Sequence, residues 1–348
     1  MSPIEVGILG ATGAVGQQFI ALLAAHPWFK VAWLGASQRS AGKAYRDATA
    51  WRLPAALPDD VAKRQVDAAT PGRAPKLVFS GLDSSVAGEI EAAFAHAGHV
   101  VVSNARNYRM DADVPLLVPE VNADHLALLK TQSAARGWPG LIVTNPNCAT
   151  VVLAMALAPL RPFGLKNVMI TTLQAISGAG YPGVASWDIL ANVIPYIGGG
   201  EEEKIQTETN KILGTLRGGA VVPHPMAVSA TTTRVPVHNG HTGSISIACE
   251  QTPDADALID AWRSFKGKPQ EMALPSAPAR PIVYLTDQNR PQPALDADRD
   301  GGMTVTVGRL RPCQVLDFKF VALGHNTIRG AAGAAVLNAE LMREEGLL

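Results

Sequence analysis

Disulfide frameworks, a net charge and a membrane-length apolar run are all missing from this 348-residue sequence. It holds only three cysteines, Cys148, Cys249 and Cys313, far apart and without a CxxC pair. That spacing argues against a secreted disulfide scaffold and a zinc ribbon. No His/Cys cluster has ligand spacing either, so no metal is expected. The 30 basic residues balance the 30 acidic ones, which removes the electrostatic reason to expect nucleic acid or an anionic membrane as partner. The opening MSPIEVGILGATG has no basic segment followed by an apolar one, so no signal peptide is expected. The most apolar stretch, residues 149–160, is too short to span a bilayer. A cytoplasmic protein is the expectation. Internal repeats and low-complexity tracts are also absent from the sequence.

What is present is ample core material, 47% hydrophobic residues, in a chain long enough for two domains. Residues 4–9 read as a strand, followed by the glycine-rich turn Gly10-Ala-Thr-Gly13-Ala-Val-Gly16 and a helical pattern over 17–26. Further strands are expected at 31–36, 76–80, 100–103 and 141–144, with a helix at 86–97. Strands alternating with helices imply a parallel, doubly wound sheet. Beyond about residue 148 an apolar helix at 149–160 leads into strands at 168–175, 228–237, 242–250, 281–286 and 303–310. Few helices separate them, the mark of a mixed or antiparallel sheet. Residues 272–280 read as a loop, and 326–345 as a long helix that could return to pack on the first domain.

Four stretches carry chemistry. The GxxGxxG turn stands between a strand and a helix, where glycine lets a pyrophosphate approach backbone N–H groups and the helix start adds positive character. A glycine turn used only for packing is the plainer reading. The second strand runs into Gly35-Ala-Ser37-Gln38-Arg39-Ser40-Ala-Gly42-Lys43, without the acidic residue that usually binds the ribose hydroxyls of NAD. Its hydroxyls and basic groups suit a 2′-phosphate, so NADP is the expected cofactor. The third stretch is Thr144-Asn145-Pro146-Asn147-Cys148-Ala149-Thr150. Here a turn places Cys148 at a helix start, where the dipole favours thiolate and backbone N–H groups are available to an oxyanion. A cysteine nucleophile makes thioester chemistry natural. Cys249 and Cys313, in strand-like apolar runs, read as buried structural thiols. For a base, Arg234-Val-Pro-Val-His238-Asn239-Gly240-His241 offers two histidines, and chemistry alone leaves both open. His96, His99 and His125 read as surface residues.

Together GATGAVGQ, ASQRSAGK, NPNCAT, QAISGAG, EEEKIQTETNKIL, RVPVHNGHT and HNTIRGAAG resemble the aspartate-β-semialdehyde dehydrogenases, most closely their archaeal and fungal branch, over essentially the whole chain. The resemblance implies an N-terminal Rossmann-type parallel sheet and an α+β catalytic and dimerisation domain with a mixed sheet, the glyceraldehyde-3-phosphate dehydrogenase-like arrangement. The expected domains are 1–147, completed by 326–348, and 148–325. It also implies roles: Cys148 as nucleophile, Asn147 beside it, Gln174 in the active site, and His241 rather than His238 as acid–base. Arg234 would grip the substrate α-carboxylate and Glu208 its ammonium, with Lys211 and Arg109 on the phosphate. Cofactor contacts are expected at Gly10, Thr12, Gly13, Ala14, Val15, Gly16, Ser37, Arg39, Ser40 and Ser80, and at Ser177, Gly178 and Asn326. Aspartyl phosphate carries a carboxylate, an ammonium and a phosphate, and these charges match it.

The implied reaction is the reversible NADP-dependent reductive dephosphorylation of L-aspartyl 4-phosphate, in lysine, threonine and methionine biosynthesis, by a homodimer or homotetramer. Three other readings compete. A malonyl-CoA reductase of the same branch would keep Cys148, His241 and Arg234 but release CoA; N-acetylglutamyl-phosphate reductase is more distant. A catalytically silent NADP-binding scaffold would not need the cysteine and histidine intact.

Overall fold

A computed structural model describes residues 2–348, which divide into two compact units. The first comprises the chain up to Leu117, Asp124–Asn145 and Ala331–Leu348; the second comprises Val118–Ala123 and Pro146–Gly330. The sequence reading puts these boundaries at 147/148 and 325/326, and keeps 118–123 in the first domain.

In the first unit, β1 (Ile4–Leu9) leads through the glycine turn into α1 (Ala14–Leu23). Then come β2 (Phe29–Ala36), β3 (Asp67–Ala68), β4 (Leu77–Ser80), α2 (Ser84–His96), β5 (Val100–Ser103), α3 (Leu129–Arg136) and β6 (Leu141–Thr144). The strands form one parallel sheet in the order β3-β2-β1-β4-β5-β6. Parallel strands covered on both faces need apolar side chains on both. Leu77-Val-Phe-Ser80 and Val100-Val-Val-Ser103 are indeed buried at every position. The order reverses between β1 and β4, and ligands of such sheets bind outside the carboxyl ends of the strands at that switch point. The last helix, Gly333–Glu344, belongs to this unit and is buried from Gly333 to Met342. The helix expected over 326–345 therefore starts later: Asn326 and Thr327 lie in a turn, followed by a π-helical turn, Ile328–Ala332.

In the second unit, α4 (Cys148–Leu157) is apolar all round and buried from Ala149 onward, the character of a core helix. Around it stand β7 (Leu165–Gln174), α5 (Glu201–Ile212), the small hairpin β8 (Thr215–Arg217) and β9 (Ala220–Val222), β10 (Ala227–Arg234), β11 (His241–Cys249), α6 (Ala255–Ser264), β12 (Ile282–Leu285), β13 (Val305–Pro312) and β14 (Phe318–Gly324). The large sheet is mixed, in the order β10-β7-β11-β14-β13-β12. Strand β7 alternates buried and exposed residues, as a sheet with one open face must. Among the described residues no helix is long and apolar enough to cross a membrane.

Several local expectations change. His99 and His125 are buried, not superficial; the His99 Nδ1 pairs with the Pro75 carbonyl at 2.8 Å. Cys249, by contrast, is buried as expected, and burial pushes its thiol up to about 11. Cys313 lies past the end of β13 and is half-exposed, so it is not a core thiol. Strand β14 is missed in the sequence reading although Phe318-Lys-Phe-Val-Ala alternates as a strand does.

Candidate active site

The three glycines of the first unit's turn are not constrained alike. Gly10 has φ +72°, and a Cβ there would stand 2.8 Å from the Gly81 carbonyl oxygen. A Cβ on Gly16 would lie 2.3 Å from the Gly10 oxygen. Both glycines are therefore required by the turn itself. Gly13 is different. It is exposed, its φ of −79° suits any residue, and an added Cβ would meet only the Gly10 oxygen, at 3.3 Å. That is a tight contact with the turn's own backbone, which would have to give by a few tenths of an ångström, so packing favours glycine here too, though less strictly than at Gly10 and Gly16. Among the described residues no side chain caps α1 and no acid stands in its first turn, so its N-terminal N–H groups suit an anion. The buried Tyr45 fixes the turn by donating to the Ala11 carbonyl at 2.8 Å. Thr49 donates to the Thr12 carbonyl at 3.1 Å. Ser37 to Ser40 forms a turn closed by Ser40 N–H donating to the Ser37 carbonyl at 2.9 Å, with Arg39 exposed upon it and Ser40 buried. Ser80 ends β4 at the switch point and is fully buried. Arg109, also in this unit, is buried and donates from Nη2 to the Asn104 carbonyl at 2.7 Å.

In the second unit, topology gathers chemistry at one end of the sheet. Gln174 ends β7 and pairs in register with Arg234 at the end of the parallel β10. His241 opens the antiparallel β11 opposite Gly324, which ends β14. Helix α4 starts at Cys148 because Asn147 caps it, the Oδ1 accepting from Ala149 and Thr150 N–H at 2.9 and 3.2 Å. That cap corrects one expectation. Those two N–H groups are occupied, so they are not the oxyanion donors that a bare helix start would offer.

The Cys148 Sγ stands 3.1 Å from the His241 Nε2. On the other side of the ring, Nδ1 accepts the Ala175 N–H at 3.1 Å. An Nδ1 that accepts carries no proton, so the neutral ring holds its proton on Nε2, facing sulfur. The surroundings keep the ring neutral. Burial, then the Arg234 guanidinium, then His325 push its pKa down to about 3. Arg234 is buried and donates to the Ala175 carbonyl at 2.7 Å. Its pKa is lowered by burial, against the opposing influence of Cys148 and Glu201. Gln174 is buried and donates to Thr172 Oγ1 at 3.3 Å.

Helix α5 turns carboxylates onto Asn147. Glu208 Oε2 accepts the Asn147 backbone N–H at 2.7 Å, and Glu201 Oε1 accepts its side-chain amide at 2.8 Å. Lys211 is buried near the end of the same helix. Glu201 is the site residue that sequence reasoning misses. The signal was available, since Glu201, Ile205, Glu208 and Ile212 recur at helical spacing and all are buried. The Asn326 amide is committed at both ends: Nδ2 donates to Ser177 Oγ at 2.8 Å, and Oδ1 accepts the Gly240 N–H at 2.9 Å. His238, the alternative base, is exposed.

Gly178 closes over this cluster. A Cβ there would stand 3.0 Å from Arg234 Nη1 and 3.0 Å from His241 Cε1. Gly178→Ala is therefore expected to keep the fold and to lower kcat/KM by about 10-fold, as steady-state kinetics alongside a thermal melt would read. A wild-type rate would show that the methyl is accommodated. Among the described residues no group of three or more metal-ligating side chains occurs.

A dinucleotide-type sheet in a chain that also sets a helix-start thiol against a neutral imidazole defines a class, the dehydrogenases with a cysteine nucleophile. Residues 5–129 match the family model for the semialdehyde dehydrogenase NAD binding domain, and 157–329 that for the semialdehyde dehydrogenase dimerisation domain. The chain is 47% identical to the aspartate-semialdehyde dehydrogenase of Methanothermobacter thermautotrophicus, over 98% of this chain and 99% of the other. It is 49% identical to that of Cryptococcus neoformans, over the whole of both. The Candida albicans aspartate-semialdehyde dehydrogenase, solved with NADP, superposes with a TM-score of 0.92 at 43% identity, covering 100% of both chains. The chain belongs to the aspartate-semialdehyde dehydrogenase family.

Proposed function

We propose that this chain catalyses the reversible NADP-dependent reductive dephosphorylation of L-aspartyl 4-phosphate to L-aspartate 4-semialdehyde, a step toward lysine, threonine and methionine. The observation that carries the reading is the 3.1 Å pairing of Cys148 Sγ with a buried, neutral His241, on a chain of this family. Cys148 attacks the β-acyl carbon, the carbon–oxygen bond to phosphate breaks with its electron pair leaving on phosphate, and a thioester remains. NADPH, when bound, supplies the hydride that takes the thioester to the aldehyde level. His241 holds the sulfur through its Nε2 proton and serves the acid–base step. Asn147 and Gln174 shape the acyl pocket, while Arg234 forks onto the α-carboxylate. Glu208 meets the ammonium, and Lys211 with Arg109 takes the phosphate. The first unit is the dinucleotide-binding domain and the second the catalytic one.

Purified protein given aspartate semialdehyde, phosphate and NADP should form NADPH. Malonyl-CoA with NADPH should be turned over poorly, because it has no amino group for Glu208 and no phosphate on its acyl carbon for Lys211 and Arg109. The opposite ranking of the two acyl chemistries would overturn this assignment.

NADP contacts are proposed at Gly10, Thr12, Gly13, Ala14, Val15 and Gly16 for the pyrophosphate, at Ser37, Arg39 and Ser40 for the 2′-phosphate, and at Ser80, Ser177, Gly178 and Asn326. Arg39→Ala is expected to raise the KM for NADP by about 10-fold, with the constants for NAD unchanged. Equal losses with both cofactors would remove Arg39 from the 2′-phosphate site. We also propose a cytoplasmic homodimer or homotetramer. Trp187 is 94% exposed, and Tyr196, Leu190 and Met169 in the same unit are also exposed. A second copy covering these residues would account for so much bare apolar surface.

A further inference from the structure

We propose that the turn 325–330 is a brace that fixes the separation of Cys148 and His241, with Arg329 and Asn326 as its positioning residues. The proposal rests on Cys148 being the nucleophile.

Arg329 and Glu120 have no exposed side-chain surface, and they meet as a fork, Nη1 to Oε1 at 2.7 Å and Nη2 to Oε2 at 2.6 Å. Burying such a pair costs both ions their hydration, and apolar residues of similar volume usually serve stability as well. Stability alone therefore does not explain the pair. Its geometry offers a better account. Arg329 lies on the π-helical turn Ile328–Ala332, a conformation that concentrates at functional sites. The next residue is Gly330, where an added Cβ would lie 2.7 Å from Cys148 Cβ and 2.9 Å from its Cα. The backbone of the turn thus rests directly on the nucleophile. Glu120 is itself pinned, since Gly267 packs so closely that its Cβ would stand 2.4 Å from Glu120 Cα.

The other end of the turn reaches the histidine. Asn326 accepts the Gly240 N–H at 2.9 Å. Gly240 immediately precedes His241 and has φ +97°, a conformation that glycine permits. Between the two ends, the His325 Nδ1 accepts Thr327 and Ile328 N–H, each at 3.3 Å, and Gly330 N–H donates to the His325 carbonyl at 3.0 Å. One closed turn therefore touches the backbone of Cys148 and the residue before His241, which stand on different elements. Arg329 and Glu120 act through Gly330.

The test reads the thiol directly and needs no substrate. Cys148 is alkylated with iodoacetamide across a pH series, and its modification is followed by peptide mass spectrometry, beside a thermal melt. Three variants are compared: Gly330→Ala, which pushes on Cys148; Glu120→Leu with Arg329→Met, which removes the anchor without leaving a lone buried charge; and Asn326→Ala. Each is expected to slow alkylation of Cys148 by about 10-fold or more and to raise the pH at which it becomes fast. A variant that only loosened the fold would melt lower with an unchanged alkylation profile, and that result overturns the brace. Asn326→Ala removes two hydrogen bonds and little packing, so it decides the matter if either of the others fails to fold. Slow alkylation in these variants of a protein that does not turn over aspartate semialdehyde would uphold the brace and reject the substrate assignment alone.

Discussion

Cys148→Ser should lower NADPH formation from aspartate semialdehyde, phosphate and NADP by on the order of 10⁴-fold or more. The reason is specific to this site. A thiol at a helix start is readily ionised, and the His241 Nε2 proton, 3.1 Å away, is placed to hold the thiolate. A serine hydroxyl ionises far less easily and needs a base. His241, whose pKa is held at about 3, is too weak a base to ionise so weak an acid, although it can exchange a proton with the far more acidic thiol. Serine at this position should therefore be almost inert. Binding of NADP, followed by ligand-induced change in protein fluorescence, should stay at its wild-type strength, which separates loss of chemistry from loss of fold. Undiminished turnover in Cys148→Ser would sink the nucleophile assignment.

How far the sequence discloses such a site depends on whether a feature is local. The GxxGxxG turn and Cys148 are local. Each rests on a strand followed at once by a helix, and hydrophobic periodicity marks both neighbours. The convergence of Gln174, Arg234 and His241 is not local, because it depends on β7, β10 and β11 pairing in a particular order and register. Chemistry alone leaves His238 and His241 both open for that reason. Only the family resemblance selects His241, and the structure shows it buried and His238 exposed. Glu201 is not legible as a site residue because a run of three glutamates resembles a solvated helix face. Its burial follows from how α5 lies against the start of α4, where Asn147 uses both Glu201 and Glu208. The Asn147 cap was half visible. Asn before a helix is a cap signal, and a cap at Asn147 uses the Ala149 and Thr150 N–H groups. The burial of His99 and His125 is not legible because nothing in a single sequence distinguishes a buried histidine from an exposed one.

His241→Gln should produce two effects of opposite benefit. Turnover should fall by about 10²- to 10⁴-fold, since the ring that faces sulfur and serves the acid–base step is gone. Resistance to acid should improve. In the folded protein, burial and then Arg234 and His325 hold the His241 pKa at about 3, against an ordinary value of 6.5. Between those two values the unfolded chain binds a proton at this position and the folded chain does not. The stability that depends on a neutral His241 is thus complete above about pH 6.5, falls as the pH drops, and is exhausted near the folded value. Glutamine does not titrate, so in that window the variant should lose stability less steeply, by up to about 1.4 kcal/mol per pH unit for the one proton removed. Denaturant unfolding at a series of pH values reads that slope. His325, whose pKa burial also lowers, remains in both proteins and contributes equally, so the difference isolates His241. A variant with lost turnover and an unchanged slope would mean that His241 is already charged in the folded state. The Ala175 N–H could not then donate to Nδ1, and the pairing with Cys148 would be a thiolate–imidazolium pair instead.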